Sequence, residues 1–306
     1  MQTQRIIPII TMGDDNYARP IAILAHSVLF NLRTGYFAEI IVLETNISEE
    51  HKEEIKAEVA KFKNGRVRFV DMSARVSSLV LPTRIDNHFT KETYYRLFIE
   101  DIAEGYDKVI CLDGDMVVDS DISELYETDI SGYLFGATLN VWTQWCISSG
   151  DFSHGFNYKD YMVNTLGLRN PLGYFSAGMM VMDIRAMRDF RLRERTFGLL
   201  GEIGTPKFAD QCLLNVICEG RVKTLPYKWA FVSLGEGPNE FIHESWLRQW
   251  RPDSRQYYQS GEQDPRIIHY EGPRKPWKFP QRGFARLWWR YARKCDFYDD
   301  LPHPLV

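Results

Sequence analysis

Lys108-Val109-Ile110-Cys111-Leu112-Asp113-Gly114-Asp115 joins an apolar run to two carboxylates separated by one glycine. An uninterrupted run of this kind, rich in β-branched residues, fits a strand buried on both faces, as in a parallel sheet covered by helices. In open α/β sheets ligands bind beyond the carboxyl ends of the strands, which is where Asp113 and Asp115 fall.

The flanking segments agree. Arg5 to Thr11 reads as a strand, Gly13-Asp14-Asp15-Asn16 breaks it, and Tyr17 to Leu32 carries apolar residues at helical spacing. A strand from Glu39 to Leu43, a helix from Ser48 to Phe62 capped by Ser48, and a strand from Arg66 to Val70 repeat the cycle. Thr93 to Ala103 reads as a helix leading into the opening strand. Further strands are expected at Phe135 to Leu139, Tyr174 to Asp183 and Arg266 to Tyr270, with helices near Ile184 and from Phe208 to Cys218. Alternation of this kind predicts an α/β fold with a mixed, mostly parallel sheet flanked by helices. Between Val141 and Pro171, aromatics, Ser, Gly and Asn suggest an irregular lid or acceptor wall.

The chain has 306 residues, 44% hydrophobic and 25% charged, with a formal net charge of -4. It is long enough to bury a substantial core, and its charge offers no general attraction for nucleic acid. The five cysteines show no metal-type spacing, which favours a reducing compartment. The N-terminus lacks the apolar span of a signal peptide, so a cytoplasmic location is expected.

Two carboxylates flanking a glycine can hold a cation that bridges a diphosphate, and oxygen ligands with some imidazole suit manganese or magnesium. Gly114 removes a side chain where the backbone would approach a nucleotide. The competing reading is a plain Asp-Gly turn. His269 ends a later apolar segment and precedes Glu271-Gly272-Pro273-Arg274-Lys275-Pro276-Trp277. It reads either as a third metal ligand, with Gly272 and Lys275 on the phosphates, or as a core histidine beside a solvated lysine.

Taken in order, several segments resemble the retaining GT-A glycosyltransferases of family eight, which include bacterial lipopolysaccharide galactosyl- and glucosyltransferases and, more distantly, glycogenin. They are Asp14-Asp15-Asn16-Tyr17-Ala18, Thr93-Tyr94-Tyr95-Arg96-Leu97, Leu112-Asp113-Gly114-Asp115, Phe175-Ser176-Ala177-Gly178, Asp210-Gln211, and His269-Tyr270-Glu271-Gly272-Pro273-Arg274-Lys275-Pro276-Trp277. The resemblance implies a Rossmann-like nucleotide-binding GT-A domain over residues 1–280, with a C-terminal amphipathic helical extension over residues 281–306.

It further implies transfer of galactose or glucose from UDP-galactose or UDP-glucose to a glycan acceptor, such as lipopolysaccharide or another cell-surface saccharide. Asp113, Asp115 and His269 would bind manganese, with magnesium as the alternative. Thr11, Asp14, Asn16, Arg96, Gly114, Ser176, Ala177, Gly272 and Lys275 would bind the donor: Asp14 and Asn16 the uridine, Arg96 and Asp210 the sugar, Gly272 and Lys275 the diphosphate. Gln211 and Asp210 would serve catalysis, with Gln211 beneath the anomeric carbon. An amide is a poor nucleophile, so front-face displacement is favoured. Ser176 and Cys212 depart from the pattern, standing where relatives often carry asparagine and aspartate.

Other functions that this kind of core could serve are a sugar nucleotidyltransferase and an inactive carbohydrate-binding or scaffold relative. The acidic first loop suits a triphosphate grip poorly, and the intact Asp113, Asp115, His269 and Lys275 argue against loss of activity. Trp142, Trp145, Phe152, Phe156, Tyr158 and Tyr161 are expected either as an acceptor platform or as core, and His88 as a further cleft residue. Phe284, Leu287, Trp288 and Tyr291 share a helical face, with Arg282, Arg286, Arg290 and Arg293 elsewhere. Residues 282–294 are therefore expected either to touch an anionic inner membrane face, suiting a lipid-linked acceptor, or to pack back on the domain.

Overall fold

The computed structural model describes residues 4–83, 90–150, 155–233 and 247–302. His88 and Phe152 lie outside them. A seven-stranded sheet runs in the order β3 (Gly65–Asp71), β2 (Tyr36–Glu44), β1 (Arg5–Met12), β4 (Lys108–Leu112), β7 (Phe175–Asp183), β6 (Phe135–Leu139), β8 (Val222–Thr224). All neighbouring pairs are parallel except those of β7, which is antiparallel to both β4 and β6. This is the mixed, mostly parallel sheet that the alternating pattern predicts.

Burial explains the apolar runs. Val109 to Leu112 and Phe175 to Met182 are buried along their whole length. The helix Ala18–Asn31 packs on one face with Ile7, Ile9 and Val42, and Tyr94, Tyr95, Met187 and Leu213 pack on the other with Ile10 and Val109. Ser48 caps the helix Glu49–Ala60 as expected, accepting from His51 N–H at 3.3 Å.

The chain leaves β1 toward β2 and β3 on one side, whereas β4 lies on the other. The strand order thus reverses between β1 and β4, the position at which such sheets open a ligand crevice. Met12-Gly13-Asp14 and Leu112-Asp113 end at this crevice. Gly13 is required there, because a Cβ would sit 2.8 Å from Tyr17 Cβ.

A second, two-stranded sheet pairs β5 (Met116–Val118) with β9 (Ile267–His269) in antiparallel register, so that His269 lies opposite Met116. Three-residue strands carry too little periodicity to be read locally. Their pairing is what brings a late segment of the chain beside Asp115.

Two expectations need correction. The segment after Val141 is not irregular at its start: Val141–Ser149 is a helix, with Asn140 accepting from Thr143 N–H at 2.9 Å and Gly150 ending it at φ 70°. Cap and stop were both present in the sequence, but the aromatic and serine content obscured them. The basic face expected over residues 282–294 is also not one helix, because the helix is Ala285–Ala292 and Phe284 before it has φ 61°.

The apolar face of that helix is buried. Trp288 and Tyr291 are 0% exposed and join the same core as Ile7 and Val117. Tyr291 donates to Asp119 Oδ1 at 2.5 Å, and Asn31 donates to the Tyr291 hydroxyl at 2.7 Å. This helix therefore packs back on the domain through its aromatic face. No helix among the described residues is long and apolar enough to cross a membrane.

Trp288→Ala is accordingly expected to destabilise the whole domain by about 3–5 kcal/mol, the usual cost of deleting a buried large aromatic. Urea unfolding measures this, and a loss below about 1 kcal/mol would show that the C-terminal segment packs independently of the core.

Candidate active site

At the carboxyl end of β4, Asp113 N–H donates to Gly178 O at 2.9 Å, which fixes the turn against β7. His269 Nε2 faces both acids, 3.3 Å from Asp115 Oδ1 and 3.6 Å from Asp113 Oδ2. One ligand atom from each of Asp113, Asp115 and His269 lies within 4.8 Å of the others. Asp115 Oδ1 is buried and accepts no hydrogen bond. Buried carboxylate oxygens are normally satisfied, so this bare oxygen among two acids and an imidazole fits a divalent cation such as manganese or magnesium.

Gly178 makes the cluster possible. A Cβ at this position would lie 2.4 Å from His269 Cε1 and 2.9 Å from Asp113 Oδ2, closer than any real contact. Gly114 is similarly confined, since its Cβ would stand 2.9 Å from Ile21 Cγ1.

Charge is balanced locally. Lys275 Nζ donates to Asp115 Oδ2, and at 3.0 Å to Tyr270 O. Burial would raise the Asp115 carboxyl, but Lys275 and His269 outweigh it and hold the group well below the carboxylate range. Burial works against the His269 imidazolium too, yet Asp115 and Asp113 raise its pKa.

Arg96 is the second buried cation, with a side chain 4% exposed. Its Nη2 reaches Asp113 Oδ1 at 2.6 Å, its Nε lies 2.7 Å from Asp210 Oδ2, and its Nη1 donates to Ala177 O. Burial pushes the Asp210 carboxyl up to about 7 in spite of Arg96, and the Asp113 charge adds to the rise.

Asp210 and Gln211 open the helix Ala209–Ile217, and Ala209 at φ 45° turns the chain into it. Gln211 Oε1 accepts from Ala177 N–H at 2.9 Å, which also fixes which end of the amide is oxygen. Asn215 clamps the same strand, accepting from Phe175 N–H at 2.9 Å and donating to its carbonyl at 3.0 Å.

A cleft of about 530 Å³ gathers these groups, and its lining includes Asp14, Arg96, Asp113, Gly114, Asp115, Ser176, Ala177, Asp210, Gln211, His269, Gly272 and Lys275. Thr11 and Asn16 are absent from the described lining. Thr11 is wholly buried within β1, and Asn16 is exposed, donating to Asp14 Oδ2 at 3.0 Å. Of the expected acceptor aromatics, Trp142 and Tyr158 line the cleft, whereas Trp145, Phe156 and Tyr161 pack beneath it.

Sequence reasoning missed Tyr17, Glu92, Asn140, Glu271 and Arg282, which also line the cleft. Tyr17 and Glu271 sit inside segments already singled out. Arg282 was assigned to a helix face it does not occupy.

The sequence profile of glycosyl transferase family 8 matches residues 8–280. The chain belongs to this family, and its fold is GT-A: it is a glycosyltransferase. General stress protein A of Bacillus subtilis (strain 168) is 24% identical over 90% of this chain and 89% of its own length. The bifunctional glycosyltransferase WbbM superposes with TM-score 0.81 at 25% identity, over 97% of this chain but only 51% of that one. The galactosyltransferase LgtC, solved with donor and acceptor sugar analogs, superposes with TM-score 0.75 at 20% identity, over 95% and 96% of the two chains.

Gly178→Ala is expected to displace the imidazole and weaken metal affinity roughly 10- to 100-fold, the range seen when a ligand's support is disturbed. Manganese titration followed calorimetrically measures this, with the thermal midpoint as a fold control. Unchanged affinity would show that Gly178 does not constrain His269.

Proposed function

We propose that the chain is a retaining hexosyltransferase that moves galactose or glucose from a UDP-sugar to a saccharide acceptor, lipopolysaccharide or another cell-surface glycan, with manganese held by Asp113, Asp115 and His269. The observation that carries this reading is the convergence of those residues with Lys275 at the crevice between β1 and β4. Magnesium is the alternative ion.

A divalent cation held there would neutralise charge growing on the diphosphate as the glycosidic bond breaks. The remaining work falls to the chain. Lys275, on the loop that Gly272 opens at φ 81°, stands ready to shift from Asp115 to a phosphate oxygen. Arg96, braced by Asp113 and Asp210, sets the floor of the sugar pocket. Gln211 is held by Ala177 N–H, so its remaining amide dipole is preorganised toward an oxocarbenium-like centre rather than free to attack it.

Trp142 and Tyr158, with Asn140 and Thr143, offer an aromatic and polar wall for the acceptor. Any contact of residues 282–294 with an anionic inner membrane face would run through the exposed Arg286 and Arg293, since the aromatic face is buried.

UDP release from UDP-galactose or UDP-glucose is expected to need added manganese and to fall by about 100-fold or more in Asp113→Asn and Asp115→Asn, as removal of a principal electrostatic group commonly costs. Unchanged turnover in either variant refutes the metal assignment. NMR of the product should show the donor's anomeric configuration, and an inverted product would overturn the retaining mechanism.

A further inference from the structure

Among the described residues, three lysine or arginine side chains line the cleft: Arg96, Lys275 and Arg282. Two of them are already neutralised, Arg96 by Asp113 and Asp210, Lys275 by Asp115. Arg282 differs. Its Nη1 donates to Arg274 O and its guanidinium lies 5.7 Å from the centre of the Tyr270 ring, but among the described residues it forms no ion pair. Its other N–H groups have no partner among them either.

An arginine without a counterion in a cleft is costly, because desolvation is not repaid by a charge partner. Burial indeed holds the Arg282 pKa below its ordinary value, although Asp115, Tyr270 and Glu271 pull it upward. Its contacts with Arg274 O and the Tyr270 ring place the guanidinium beside the Gly272–Lys275 loop. The position is fixed by backbone: Arg282 N–H donates to Phe279 O, and Ala285 N–H to Arg282 O, each at 3.0 Å. Residue 282 lies just beyond the 8–280 segment that the family profile matches.

We infer that Arg282 binds an anionic oxygen of the ligand, and that this oxygen belongs to the diphosphate of the nucleotide-sugar donor. The inference rests on the UDP-sugar reading above. It gives residues 281–302 a role in the site: the packed Ala285–Ala292 helix anchors a guanidinium that completes the charge on the phosphate side. Arginine suits this place because its fork can meet two oxygens while one edge stays on Arg274 O.

Calorimetric titration of UDP and of uridine into the full chain with manganese tests this, using wild type, Arg282→Gln and Arg282→Lys. Loss of a charge-assisted hydrogen bond should weaken UDP binding about tenfold or more in Arg282→Gln, with Arg282→Lys in between and uridine changed less than about twofold. Equal UDP affinity in wild type and Arg282→Gln overturns the assignment, as does an equal loss for UDP and uridine, which would report a general disturbance. Retained UDP affinity with weakened binding of glucose 6-phosphate assigns the anion to the acceptor and overturns the donor role. Wild type that binds no UDP overturns the donor reading itself, a different result from wild type that binds while Arg282→Gln binds equally well.

Discussion

The buried guanidinium of Arg96 is the interaction on which the site depends. It touches the end of β4 through Asp113, the backbone of β7 through Ala177 O, and the start of the Ala209–Ile217 helix through Asp210. Three elements distant in sequence are thus registered by one planar group whose geometry admits little slack. Removing either acid would leave the nearly buried guanidinium with one counterion instead of two, and the loss would exceed the net worth of the pair removed. The arrangement therefore specifies position more than it adds stability. Ala177 is bound on both sides, its carbonyl by Arg96 and its N–H by Gln211, so Gln211 is positioned through the same peptide.

How far this could be read from sequence follows from the range of each interaction. The β4 run and its acids are local, and β4 and β6 fall at the expected bounds because long burial on both faces leaves a continuous apolar signature. His269 was recognisable as a candidate, but its approach to Asp115 requires β5 and β9 to pair, and three-residue strands announce nothing by periodicity. The Val141–Ser149 helix was missed despite its cap and stop, because composition outweighed them. Arg282 was misplaced because a helical wheel drawn through residue 282 ignores the left-handed residue at Phe284 that starts the helix afresh. Thr11 and Asn16 illustrate the remaining gap: adjacency to a motif does not tell which side of a strand or turn faces a cleft.

The C-terminal segment alters what counts as the domain. Trp288, Tyr291 and Phe297 share one core with β1 and the Ala18–Asn31 helix. Trp289 donates from its indole to Pro276 O at 3.1 Å. The loop carrying Lys275 is therefore tied down by residues that follow it. Ordering a cleft-lining loop costs conformational entropy, and packing its exit against a preformed core moves that cost from binding to folding.

Cys212 shows how charge limits what the buried interior near Asp210 can hold. Its thiol lies between two hydroxyls, 3.3 Å from Tyr174 and 3.6 Å from Tyr161. Tyr161 also accepts from Lys207 N–H at 2.9 Å. An aspartate at this position would add a carboxylate near Asp210, whose own ionisation is already opposed by burial and by Asp113. A neutral cysteine keeps the tyrosine contacts without that repulsion.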